Sequence, residues 1–133
     1  SSARNEGWDP LFSRWPWMSE LYVLTMGGET QVLGYWTNMQ IYRLELGLNT
    51  TQKTKLSLNC NYLRANAQVA PGYLPSIFSC TSKERGWLPQ IRFDYKISDN
   101  ITTCFLGEYL QPGDFYVDND PATFLRTEVQ IKF

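Results

Sequence analysis

The sequence predicts an all-β protein: an antiparallel, up-and-down sheet of five or six long strands behind an irregular N-terminal region. Three observations point there. From Tyr35 onward apolar residues recur at every second position over runs of about ten residues, the period of a strand with two different faces. The polar connections between those runs alternate between short and long. The last run, Thr123 to Phe133, sets Leu125, Val129, Ile131 and Phe133 against Arg126, Glu128, Gln130 and Lys132, and alternates over roughly 30 Å of strand. The chain reads as one domain, with 1–34 as the loop or helix region and 35–133 as the antiparallel strands.

Residues 1–34 are dense in Trp and Pro, notably Trp8-Asp9-Pro10 and Trp15-Pro16-Trp17, which suits an ordered but irregular loop. Pro16 to Met26 fits a helix: Pro16 suits the first turn, Trp17, Leu21 and Leu24 share a face, and Gly27-Gly28 supplies a stop. The same run also fits a strand with Leu21, Val23 and Thr25 on one side. Asn38 to Leu48 places Tyr42, Leu44, Leu46 and Leu48 on one face and Ile41, Arg43, Glu45 and Gly47 on the other. After a polar turn at 49–54, Lys55 to Ala65 carries Leu56, Leu58, Cys60 and Tyr62 opposite Ser57, Asn59 and Asn61. Pairing Leu48 with Leu56, Leu46 with Leu58, Leu44 with Cys60 and Tyr42 with Tyr62 keeps every apolar side chain on one side, so turn and pattern agree on register.

A long loop at 66–86 contains Pro71-Gly72, Pro75 and the cluster Lys83-Glu84-Arg85. Trp87 to Ile97 then sets Trp87, Ile91, Phe93, Tyr95 and Ile97 against Gln90, Arg92, Asp94 and Lys96. Ser98-Asp99-Asn100 is a tight turn, and Ile101 to Leu110 follows with Ile101, Thr103, Phe105, Gly107 and Tyr109 on one face. A loop at 111–121, rich in Pro, Gly, Asp and Asn, leads to the final strand. Matching Ile101 to Phe133 would bring Glu108 opposite Arg126, a favourable cross-strand pair.

Bulk composition removes several function classes. The net charge of −1 gives no basic field for nucleic acid, and the chain has no histidine, the commonest general base and metal ligand. Without His there is no Ser–His or Cys–His pair, and neither a nucleophile elbow nor a phosphate-cradling loop is present, so no enzyme activity and no cofactor is expected. Cys60 and Cys104 read as small apolar fillers within strands and Cys80 as a loop thiol; their spacing matches no zinc site. Asp114, Asp118 and Asp120 match no standard calcium loop and read as a solvated turn. No run of about 20 apolar residues exists to make a spanning helix, but a membrane barrel needs none. Ser1 to Glu6 lacks the apolar core of a signal peptide, and the expectation is a processed or truncated product.

Solvent is the remaining question. A closing strand that alternates up to a C-terminal Phe resembles that of a bacterial outer-membrane β-barrel, and short turns opposite long loops suit the same architecture. Five or six strands are too few for closure, since such barrels need about eight or more. An open sheet would leave backbone groups unsatisfied in lipid. The expectation is therefore an antiparallel up-and-down transmembrane β-barrel segment, the C-terminal portion of a larger barrel. Trp36, Tyr62, Trp87, Tyr95, Tyr109 and Phe133 fall near strand ends, where interfacial girdles lie.

Longer motifs point the same way. Gly7-Trp8-Asp9-Pro10-Leu11-Phe12-Ser13-Arg14-Trp15-Pro16, Ser19-Glu20-Leu21-Tyr22 and Tyr35-Trp36-Thr37-Asn38 together resemble the alginate-export family of outer-membrane barrels. Gln111-Pro112-Gly113-Asp114-Phe115-Tyr116 and the ending Phe124 to Val129 are similar to that family's last hairpin. The resemblance implies a porin-like channel in the bacterial outer membrane that passes a hydrophilic solute, an oligo- or polysaccharide. Its partners would be outer-membrane lipid, the solute and the remaining strands, from the same or another chain.

The pore-lining candidates are Arg43, Glu45, Arg92, Asp94, Lys96, Glu108, Arg126, Glu128 and Lys132, five cations against four carboxylates. That near balance departs from the cationic lumen implied by an acidic polysaccharide. The same charges also read as a structural ladder, with Arg126–Glu108 as one rung and Arg92 a diagonal away. Two rival functions remain open: a non-channel anchoring barrel of an outer-membrane assembly, and a soluble β-barrel lipid carrier.

Overall fold

The computed structural model describes residues 18–25 and 38–133. A short helix, α1 (Glu20–Thr25), precedes five strands: β1 (Gln40–Thr51), β2 (Thr54–Arg64), β3 (Glu84–Lys96), β4 (Ile101–Pro112) and β5 (Ala122–Ile131). The strands form a single antiparallel sheet in chain order, an up-and-down meander. Among the described residues β1 and β5 are each paired on one side only, so the sheet is open rather than a closed barrel.

The β1–β2 hairpin has the register its pattern requires, with Leu48 opposite Leu56 and Tyr42 opposite Tyr62. Its turn is tighter than the polar run 49–54 suggests. Thr51 and Thr54 already belong to the strands, and their hydroxyls meet at 2.6 Å across the turn at Gln52-Lys53. β-Branched threonines extend the ladder where polarity alone reads as loop. The entry to β1 is clamped by Asn38, which holds a positive φ of 54°. Its amide donates to the Ala67 carbonyl and accepts from the Ala67 N–H, both at 2.8 Å.

β3 begins at Glu84, inside the expected loop, because a bulge at Leu63/Arg64 lets the ladder continue. Gly86 makes this possible. Its φ is +127°, and a Cβ there would lie 2.1 Å from the Gln111 carbonyl oxygen, so only glycine fits.

The β4–β5 register differs from expectation by two residues. Ile101 faces Ile131 rather than Phe133, and Glu108 faces Phe124 rather than Arg126. A slip of two leaves every side chain on the same face, so alternation cannot distinguish the two registers. Contacts made by α1 accompany the observed one: Arg126 pairs with Glu20, and Glu108 accepts from Ser19 and the Leu21 N–H.

The helix alternative for the 16–26 run holds at Glu20–Thr25. Ser19 caps it, accepting from the Tyr22 N–H at 3.0 Å. Leu21 and Tyr22 are buried, whereas Leu24 is 68% exposed, so the expected Leu21/Leu24 face is not the docked one. Trp17, Pro16, Gly27-Gly28 and Trp36 lie outside the described residues.

Two small apolar clusters sit at the end of the sheet that carries the long connections. Leu63, Leu88 and Leu110 pack under Leu21 and Tyr22. Ala65, Phe78, Phe115 and Tyr116 pack where the loops 65–83 and 113–121 meet, joined by a bridge between Phe78 and Tyr116. Arg85 stands 4.9 Å from the Phe115 ring centroid and donates to the Tyr22 hydroxyl at 2.6 Å, which ties the loops to α1.

Candidate functional site: the polar face of the sheet

The two faces of the sheet differ in what covers them. Leu44, Ile91 and Leu125 on the apolar face are 65%, 42% and 67% exposed, while Asn61, Gln90 and Glu108 on the polar face are 0%, 7% and 3% exposed. α1 lies on the polar side and leaves the apolar side bare among the described residues.

Register stacks the polar side chains into rows across the strands. Glu45, Asn59, Gln90 and Glu108 form one row, and Ser57, Arg92, Leu106 and Arg126 the next. Lys55, Asp94, Cys104 and Glu128 make a third row, nearer the short turns. Within β1, β3 and β5 an arginine is followed two residues later by a carboxylate on the same face. Arg43 meets Glu45 at 3.3 Å, Arg126 meets Glu128 at 3.3 Å, and Arg92 grips Asp94. The Arg92 Nε reaches both Asp94 oxygens at 3.1 and 3.0 Å, the forked geometry that suits guanidinium. These pairs are half-exposed, so each contributes at most about 1 kcal/mol to stability.

Glu108 behaves differently. Its Oε2 accepts from Ser19 Oγ at 3.0 Å and from the Leu21 N–H at 2.7 Å, and its Oε1 accepts from Gln90 Nε2 at 2.5 Å. Gln90 also donates to the Met18 carbonyl at 2.7 Å. A buried carboxylate requires such donors, and here they come largely from the start of α1. Glu108 is therefore the pin that fixes α1 to the sheet, and its expected partner Arg126 turns to Glu20 and Glu128 instead.

Two cavities open along this face. One, of about 400 Å³, lies against Met18, Ser19 and Glu20 of the α1 segment; Arg43, Glu45, Arg92, Asp94, Glu108 and Arg126 line it together with Lys55, Ser57, Asn59 and Gln90. The other, of about 770 Å³, opens at the short-turn end between Lys53, Lys55, Arg92, Asp94, Lys96 and Glu128. Every sequence candidate except Lys132 thus lines one cavity or both. Lys132 lies past the end of β5, where its N–H donates to the Asn100 carbonyl at 2.9 Å. At the β3–β4 turn the Lys96 ammonium sits 2.7 Å from Asp99 and holds its carboxyl below the ordinary aspartate value.

Sequence reasoning missed Lys55, Ser57, Asn59 and Gln90 as site residues because it counted charges alone and passed over Lys55. Their parity with Arg43 and Arg92 was the available signal. Ser19 and Glu20 carried none, since what brings them to the sheet is a contact 89 residues away in sequence.

Fold and face together define a five-stranded antiparallel meander with a hydrogen-bonding, charge-paired side and an exposed apolar side. Comparisons with protein-family models, curated proteins and solved structures find no match to this chain.

Proposed function

We propose that this sheet is a section of the wall of a bacterial outer-membrane β-barrel, a porin-like channel in which hydrophilic solutes pass along the arginine–carboxylate face. The observation that carries the reading is the exposed, contiguous apolar face. Tyr42, Leu44, Leu46 and Leu48 on β1 and Leu125, Val129 and Ile131 on β5 are each more than half exposed, and they continue across Leu58, Ile91, Phe93 and Phe105. In water such a face would exceed the few hundred Å² that soluble monomers usually expose, whereas in lipid it is the required surface.

Dimensions support the same reading. From Trp87 to Ile97 the chain advances about 33 Å along the strand, or about 25 Å once tilted by some 40°, which equals the apolar band of such barrels. Tyr42, Tyr62 and Trp87 form a ring contact series at the long-loop end, with centroids 6.1 and 4.7 Å apart. Tyr95 lies near the other end, as girdles at two interfaces require. The unpaired edges of β1 and β5 would need further strands in hydrocarbon, from the same or another chain. The resemblance of Gly7 to Pro16 and of the closing hairpin to alginate-export barrels agrees with this reading.

A second reading has one specific support. α1 and the Leu63–Leu88–Leu110 cluster cover the long-loop end of the polar face, as they would in a sealed barrel that serves only as an anchor. A lipid carrier has less support, because it would enclose the apolar face that this sheet leaves open. The test is purification from membranes followed by planar-bilayer recording. Detergent-dependent extraction, a heat-modifiable band and stable conductance are expected. Extraction into buffer alone refutes the membrane wall, and a heat-modifiable protein without conductance leaves the anchor.

A further inference from the structure

We infer that the cleft between α1 and the polar wall is a subsite for uncharged, hydroxyl-rich solutes such as neutral oligosaccharides. This rests on the channel reading and names the solute class that the channel selects. The cleft measures about 400 Å³, within the roughly 300–1,000 Å³ of small-molecule sites. Its lining holds four cations and four carboxylates, so it carries no net formal charge.

The disposition of those charges matters more than their sum. Arg43 is engaged by Glu45, Arg92 by Asp94, and Arg126 by Glu20 and Glu128. Glu108 is occupied by Ser19, the Leu21 N–H and Gln90. An anionic solute drawn to Arg43, Arg92 or Arg126 would have to pull the guanidinium from its carboxylate and then face that carboxylate; the fourth cation, Lys55, is shared with the cavity at the turn end. A hydroxyl group has no such conflict. It accepts from a guanidinium N–H and donates to the neighbouring carboxylate at once, leaving the ion pair intact. Between the pairs stand Ser57 and Asn59, which supply a further hydroxyl and amide, while the Gln90 amide is held by Met18, Asn61 and Glu108.

The wider cavity at the turn end provides a contrast. Lys53, Lys55, Arg92 and Lys96 outnumber Asp94 and Glu128 there, so that mouth attracts anions. Selection falls to the cleft, which at about 400 Å³ has about half the volume of that mouth.

The test uses the protein as isolated from membranes, in planar bilayers, with maltotriose as the neutral probe and trigalacturonate as the anionic one. Maltotriose is expected to block current at a concentration at least tenfold below that of trigalacturonate. Glu45→Gln, which strips Arg43 of its partner, should shrink that ratio to about threefold or less. Ser57→Val should weaken the maltotriose block at least threefold while both variants keep their heat-modifiable band. Stronger block by trigalacturonate in the unmodified protein, or a maltotriose block indifferent to both substitutions, overturns the inference. If no current flows at all, the channel reading fails instead. Calorimetric titration of maltotriose into the detergent-solubilised protein then decides the cleft, and absence of Ser57-dependent heat overturns it.

Discussion

Replacing Ile91 by arginine separates a lipid-facing sheet from a water-facing one more sharply than any other single change. Ile91 lies near the middle of the apolar face on β3, four residues from Trp87 and six from Ile97. In a sheet crossing a bilayer at some 40° of tilt each residue would advance about 2.5 Å in depth, which would set Ile91 about 10 Å below a girdle at Trp87. Arginine near the midplane of a barrel costs about 2–4 kcal/mol, falling to about 0–1 kcal/mol at an interface, where the side chain snorkels. Ile97→Arg on the same chain segment is therefore the internal control. Ile91→Ala removes the packing of Ile91 over Gly107 without adding charge. The assay is urea unfolding of the protein refolded into vesicles, followed by heat-modifiability. Ile91→Arg should lower stability by about 2–4 kcal/mol, and by at least about 1 kcal/mol more than Ile97→Arg. In water a 42% exposed isoleucine changed to arginine would shift stability by no more than about 0.5 kcal/mol. Equal, near-zero effects at both positions would refute the lipid assignment.

Other perturbations probe the site and the fold. Glu108→Ala removes the pin of α1; docking should weaken by about 2–3 kcal/mol, seen as faster hydrogen exchange at Leu21 and Tyr22 while strand amides stay protected. Unchanged exchange there would show that Glu108 does not hold the helix. Gly86→Ala drives a Cβ into the Gln111 carbonyl and should cost about 2–4 kcal/mol by urea titration, because strain and a backbone clash add. Asp99 has a depressed carboxyl value, so its pairing with Lys96 stabilises the turn above the ordinary aspartate pKa and is lost as pH falls through the folded value. An NMR titration of the Asp99 carboxyl should give a midpoint below that of a model peptide, and Lys96→Met should raise it.

The register of the β1–β2 hairpin was legible because a short turn and two matched faces agree on it, although the turn itself proved tighter than the polar run 49–54. The β4–β5 pair was not, because a long loop permits slips of two that alternation cannot see. Arg43-Leu44-Glu45, Arg92-Phe93-Asp94 and Arg126-Thr127-Glu128 repeat one pattern in three strands, and each arginine pairs along its own strand. The cross-strand rung Arg126–Glu108 was expected instead, and the α1 contacts accompany a different arrangement. That Glu108 and Gln90 would be buried was illegible in β3 and β4 themselves, since the groups that cover them belong to the Met18–Leu21 segment. Leu63, Leu88 and Leu110 on the polar side were the trace of that cover: three leucines out of phase with the apolar face, all at the long-loop end.

The central claim is that hydrocarbon meets the Leu44 side of the sheet and water the Arg43 side. Spin labels at Leu44, Ile91 and Leu125, and separately at Glu45, Asp94 and Glu128, would test it directly in vesicles, with Cys60, Cys80 and Cys104 replaced by serine. Oxygen should relax the first set and a water-soluble nickel complex the second. Nickel access to Leu44, Ile91 and Leu125, with the carboxylate positions closed to it, would contradict the account.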